Sequence, residues 1–152
     1  MINVGIARRV SSLLQWVWPP QWAPSWQQKN ALFKAAIHNK FKEMQNLLDK
    51  GADVNAKSIG GLTVLMHASL KGHHDAVKLL LDKGSDVNAT AAEGLTALMM
   101  ASKKGHSEVV KLLLDKRADI KAKDADGLTA LMMASKKGHS EVVKLLELAY
   151  WK

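Results

Sequence analysis

The sequence predicts an all-α solenoid in which short helix–turn–helix units stack side by side. Twenty residues, GLTALMMASKKGHSEVVKLL, occupy positions 94–113 and recur unchanged at 127–146, so the two copies start 33 residues apart. A looser copy begins at Gly61, and a more distant one runs from Asn30 to Ala56. Self-similarity at a fixed period of this size is typical of arrays in which each unit buries its apolar face against its neighbours.

Each unit carries cap residues that predict where its helices begin and end. A threonine hydroxyl can accept a free backbone N–H at the start of the first helix. The threonine is Thr63 in the second unit, Thr96 in the third and Thr129 in the fourth. A left-handed glycine is expected to end that helix. This residue is Gly72, Gly105 or Gly138. The second helix shows an apolar stripe at the i, i+3, i+4 spacing of Val109, Leu112 and Leu113.

Five further cap positions depart from this pattern or complete it. In the first unit Asn30 stands at the threonine position and Asn39 at the glycine position, and asparagine suits both roles. The second helices close at Gly51 and Gly84, followed by extended loops and Gly-containing turns. Arg117 replaces that glycine in the third unit, where a left-handed conformation would cost on the order of 1 kcal/mol.

These residues resemble the ankyrin repeat. The segments DADGLTALMMAS at 124–135 and GHSEVV at 138–143 match the family pattern D-x-x-G-x-T-P-L-H-x-A-A followed by G-H-x-E-V-V almost position for position. The resemblance covers residues 30–152. It implies four units at 30–57, 58–90, 91–123 and 124–152, of which the first and last are cap-like or partial.

Some positions differ from the family pattern. Its proline is replaced by Val64, Ala97 and Ala130. Its histidine is replaced by Met66, Met99 and Met132. We therefore expect slightly weaker helix initiation and adaptable methionine packing in place of a hydrogen bond. Glu147 resembles a capping change, whereas Leu148, Tyr150 and Trp151 either fold back as a cap or belong to a longer array.

Residues 1–29 differ from the repeats because they are rich in tryptophan and proline and contain no acidic residue. The sequence favours a flexible or loosely docked leader. One alternative is a cleaved secretory signal, which a diluted apolar stretch without a clean cleavage site disfavours. The other is a membrane-peripheral adaptor, anchored at the interface by basic and aromatic residues. These would be Arg8, Arg9, Trp16, Trp18, Trp22 and Trp26.

The sequence predicts neither catalysis nor a cofactor or metal. Cysteine is absent, which excludes disulfides and thiolate sites, and no phosphate loop, zinc-protease helix or nucleophile elbow is present. One histidine recurs per repeat, as His73, His106 and His139. Neighbouring helices lie roughly 8–10 Å apart, too far to share one metal, so we expect these rings to hydrogen-bond loop backbone between repeats. His67, Met99-Met100 and Met132-Met133 are interpreted as core residues, and a Met-rich binding surface is the alternative for the two methionine pairs.

The resemblance implies that a partner protein docks in the concave groove formed by turn tips and first helices. The predicted groove residues are Lys71, Lys103, Lys104, Lys136, Lys137, Leu62, Leu95, Leu128, Glu93 and Asp126. Because the chain has a formal net charge of +8, we expect its partner to present an acidic protein surface. Weak non-specific nucleic-acid binding is an alternative. The lysines would otherwise serve solubility alone. We expect a cytoplasmic monomer without a small-molecule substrate, and a secreted effector is the alternative location.

Overall fold

The computed structural model of the protein describes residues 25–152, which form eight α-helices and one 3₁₀ turn at Ala92–Gly94. The first helices of the four units are α1 (Ser25–Ile37), α3 (Val64–Lys71), α5 (Ala97–Lys104) and α7 (Ala130–Lys137). The second helices are α2 (Phe41–Asp49), α4 (His74–Asp82), α6 (Ser107–Asp115) and α8 (Ser140–Tyr150). None of these helices is both long and apolar enough to cross a membrane.

The helices form two layers. The inner helices α1, α3, α5 and α7 pack in sequence, and the outer helices α2, α4, α6 and α8 form the second layer behind them. The core lies between the layers, where Leu32, Leu65 and Leu98 recur at one position per repeat and are fully buried. Each unit therefore buries its apolar face against its neighbours, and the predicted all-α solenoid is confirmed.

The predicted N-caps and C-caps of α3, α5 and α7 are present. Threonine hydroxyls accept the backbone N–H three residues on, at distances of 3.2, 3.3 and 3.3 Å in α3, α5 and α7. Glycines in the left-handed conformation end the same helices at Gly72, Gly105 and Gly138. Asn39 and Arg117 adopt positive φ values of 56° and 63°, as their positions in the repeat predict. The threonine and glycine caps thus set where α3, α5 and α7 begin and end.

The predicted N-cap at Asn30 is wrong. Asn30 lies inside α1 (Ser25–Ile37), which therefore includes residues that we assigned to the leader. The other inner helices are preceded by a turn glycine, Gly61 in the second unit, and Gln28 occupies that position in the first. Without the glycine the chain does not reverse direction before Asn30, and the helix extends upstream.

The C-terminal end of the stack differs from its sequence-based expectation in two respects. Met99, Met100 and Met133 are buried as predicted, but Met132 is about half exposed because no further inner helix packs on α7 within the described residues. Leu148 and Trp151 do not fold back as a cap: α8 continues to Tyr150, and both side chains are exposed.

Candidate functional site

One edge of the concave face is formed by the turns that precede the inner helices. Backbone hydrogen bonds join these turns from repeat to repeat: the Ala92 N–H donates to Gly60 at 3.0 Å, and the Ala125 N–H donates to Glu93 at 2.8 Å. The third turn is also braced internally, because the Asp124 carboxylate accepts the N–H of Asp126 at 3.0 Å. Exposed Glu93 and Asp126 side chains therefore project from a connected row of turns, here called the turn edge.

The opposite edge is formed by the C-terminal ends of the inner helices, here called the helix-end edge. A histidine Nε2 from each following repeat hydrogen-bonds one carbonyl of the preceding inner helix. The three pairs are His73 with Ile37 at 3.0 Å, His106 with Leu70 at 3.0 Å and His139 with Lys103 at 2.9 Å. Carbonyls in the last helical turn lack an intrahelical donor, so the imidazole N–H satisfies them. The predicted inter-repeat role of these histidines is confirmed, with helix-end carbonyls rather than loop carbonyls as acceptors.

An apolar floor joins the two edges. Leu62, Leu95 and Leu128 follow the turns and are half-buried against the core. Together with both edges they enclose a groove of about 520 Å³. Half-buried leucines have apolar area left to bury, so this floor can gain free energy by covering a partner's apolar side chains.

The groove brings together all but one of its predicted residues. These are Leu62, Leu95, Leu128, Glu93, Asp126, Lys103, Lys104, Lys136 and Lys137. Lys71 is exposed at the end of α3 but does not line the groove, where its neighbour Leu70 lies instead.

Besides Leu70, the sequence-based set omitted four further lining residues, Asp124, Met99, Met100 and Met133. The methionines were interpreted as core residues in preference to a Met-rich binding surface, but the side chains of Met99, Met100 and Met133 are both largely buried and adjacent to the groove. The helical spacing that identified them as core residues carries no signal for this second role.

The groove lysines are not neutralised by neighbouring acids. Within residues 25–152, none of Lys103, Lys104, Lys136 and Lys137 forms an ion pair. On the outer layer, by contrast, Lys111 Nζ donates to Glu108 at 3.0 Å, and this hydrogen bond raises the pKa of Lys111. Four uncompensated positive charges therefore lie together on the helix-end edge, where they can attract an anionic group.

His67 lies away from the groove lining as a packed histidine. Its ring meets the Phe33 ring edge-on at 5.4 Å between centroids. Burial, and secondarily the charge on Lys71, lower the pKa of His67 below its ordinary value. The core interpretation of this residue is confirmed in part, because the side chain is half-buried rather than enclosed.

The remaining predicted sites concern metals and the leader. No group of three or more His, Asp or Glu side chains within residues 25–152 is arranged to hold a metal ion. Of the candidate anchor residues, Arg8, Arg9, Trp16, Trp18 and Trp22 lie outside the described residues. Trp26 is exposed on the first turn of α1.

Comparison with known proteins agrees with the fold. The family model described as ankyrin repeats (3 copies) matches residues 10–91 and 89–149. A search of curated proteins gave no match. The family match spans nearly the whole chain, and the caps, the two helical layers and the connected turns follow its repeat unit. The chain belongs to the ankyrin repeat family.

Proposed function

We propose that the protein is a non-catalytic interaction module that binds an acidic segment of a partner protein in the groove. Ankyrin repeats generally act as protein–protein interaction modules and are typically non-catalytic. The observation that carries the proposal is the row of four unpaired lysines beside half-buried leucines in one groove. Complementary charge would raise the association rate and select the partner, while covered apolar surface would supply most of the affinity.

The groove is suited to binding because both of its edges are held in place. Hydrogen bonds between turns fix the turn edge, and the His106 and His139 bonds fix the ends of α3 and α5. A surface that is ordered before binding loses less conformational entropy when a partner docks. This argument favours a specific groove over a lysine row that serves solubility alone.

Nucleic acid is a weaker candidate for the lysines. Sequence-independent binding of single strands relies on aromatic side chains that stack with bases. No aromatic side chain from residues 25–152 lines the groove. Phosphate attraction alone would give weak, strongly salt-dependent binding.

Affinity capture from a cell lysate treated with nuclease tests the proposal. The comparison is between the wild-type protein and a variant with Lys103→Glu, Lys104→Glu, Lys136→Glu and Lys137→Glu. A matched control reverses four exposed lysines away from the groove: Lys42→Glu, Lys78→Glu, Lys144→Glu and Lys152→Glu. Thermal unfolding of all three proteins verifies that they are folded.

A captured protein supports the proposal only after purification. It should bind the wild type and the control equally, and the groove variant at least about tenfold more weakly. Equal binding by the groove variant would contradict a role for the lysines. Capture that occurs from an untreated lysate and is lost on nuclease treatment would assign the lysines to nucleic-acid binding instead.

A further inference from the structure

The two edges of the groove carry opposite charges. Glu93 and Asp126 project from the turn edge, whereas the helix-end edge presents lysines, for example Lys103 and Lys136. These side chains form no ion pair across the groove within the described residues. The groove as a whole is therefore electrically divided along its length, even though the net charge of the chain is +8.

The length of the inner helices sets the separation of the edges. Glu93 precedes α5, and Lys103 and Lys104 end it, so the helix itself lies between acidic and basic side chains. Eight residues at a rise of 1.5 Å give about 12 Å. An α-helix with its side chains is about 10–12 Å in diameter, so one helix would reach both edges at once.

The apolar floor repeats at an interval that a helix can match. Leu62, Leu95 and Leu128 occupy equivalent positions before α3, α5 and α7, whose axes should be about 8–10 Å apart. Two turns of a helix, from residue i to i+7, advance about 10.5 Å. Apolar residues seven positions apart would therefore meet successive leucines, and about 15 residues would span all three.

We propose that the groove selects one amphipathic α-helix of the partner, with acidic residues along one flank of its apolar stripe and basic residues along the other. The acidic flank faces Lys103 and Lys136, and the basic flank faces Glu93 and Asp126. This inference rests on the proposed function and replaces a uniformly acidic ligand with a divided one. The division also fixes the direction in which the helix lies, because a reversed helix would bring like charges together.

The same charges have a structural explanation that the test must separate. Acids before a helix and lysines at its end interact favourably with the helix dipole. That role would alter stability when the charges are changed, but it would give no preference for the charge pattern of a ligand.

The test uses a displayed library of helical peptides of about 18 residues, with leucine in every seventh position and Glu, Lys or Gln varied along both flanks. It is selected against the wild-type protein and three folded variants. The first carries Lys103→Glu, Lys104→Glu, Lys136→Glu and Lys137→Glu, and the second carries Glu93→Lys and Asp126→Lys. The third combines all six substitutions and exchanges the charges of the two edges. A further variant with Lys42→Glu, Lys78→Glu, Lys144→Glu and Lys152→Glu, away from the groove, is the control.

We expect wild type and control to enrich peptides with Glu on one flank and Lys on the other. The lysine reversal should enrich Lys on both flanks, and the acid reversal Glu on both. The six-residue exchange should recover the wild-type peptides, because a helix turned end for end exchanges its flanks. Each wild-type peptide should bind either single-edge variant at least about tenfold more weakly.

The two levels of the argument fail in different ways. One contrary outcome is that the wild-type protein enriches peptides with Glu on both flanks, with a preference that Glu93→Lys and Asp126→Lys do not change. That result would overturn the divided groove and leave an acidic ligand in place. Enrichment that is the same for all variants, or none above background, would overturn both the divided groove and groove binding.

Discussion

The segments 94–113 and 127–146 contain the same twenty residues in different surroundings. Their backbones agree closely: both inner helices follow a threonine cap and end at a glycine with φ of 77°. Their burial differs, because α5 lies between α3 and α7, whereas among the helices of residues 25–152 only α5 packs beside α7 in the inner layer. Met99 is 1 % exposed and its twin Met132 is 48 % exposed. The comparison teaches that caps determine conformation locally, while neighbours determine what each side chain contributes to stability.

The largest expected effect comes from truncating the two methionines separately. Met99→Ala should lower the free energy of unfolding by about 2–5 kcal/mol, because it leaves a cavity between α5 and α7. Met132→Ala should cost less than about 1 kcal/mol, because water already reaches that side chain. The measurement is urea unfolding followed by circular dichroism.

The two substitutions control for each other, since they make the same chemical change in the same sequence context. Any gain in helix propensity on introducing alanine is shared and cancels in the difference. Equal losses would contradict the comparison and would mean that some surface covers Met132 in solution.

The glycines that end the two helices give a second, smaller difference. Alanine at either position is strained by the left-handed backbone, which costs about 1–2 kcal/mol. At Gly105 the added Cβ would also lie 2.6 Å from Nδ1 of His139, whereas at Gly138 it would meet nothing within 4 Å. Gly105→Ala should therefore destabilise the protein by about 1 kcal/mol more than Gly138→Ala, because the imidazole must move from its bond to Lys103.

A double-mutant cycle identifies the cause of that excess. With His139→Ala already present, Gly105→Ala should cost no more than Gly138→Ala, because no ring remains to clash. If the excess persisted in the absence of the imidazole, the inter-repeat contact would not be its origin.

The sequence allowed the local features to be predicted because they depend on a few adjacent residues. The threonine caps, the left-handed Arg117 and the side of each repeat that faces the groove all follow from the repeat pattern. Exposure of Met132 could not be predicted in this way, because it depends on what packs against α7. The extension of α1 past Asn30 was missed because the cap residue was considered without the missing turn glycine.

The candidate groove was predictable in composition but not in arrangement. Its lysines and leucines recur at the repeat period, and the resemblance to the ankyrin repeat assigned them to the groove. The two edges carry opposite charges because Glu93 precedes α5 and Lys103 lies near its end, and the length of the helix keeps these charges apart. Net charge conceals this division, since it sums over both edges and over the outer helices.

The smallest expected effect concerns His67, whose equivalents in the twin segments are Met100 and Met133. Burial, and then Lys71, lower the pKa of His67 in the folded protein below its ordinary value of 6.5. The unfolded chain therefore binds more protons here than the folded chain does, so stability falls as the pH decreases through 6.5. His67→Met removes this dependence and should raise the thermal midpoint at about pH 5 more than at about pH 7.5.

At the higher pH the methionine gains apolar burial but loses the edge contact with Phe33, so the two proteins should differ little there. The other histidines are unchanged in this pair and contribute equally to both pH profiles. A midpoint difference that is the same at both pH values would show that protonation of His67 is not what distinguishes the second repeat from the later ones.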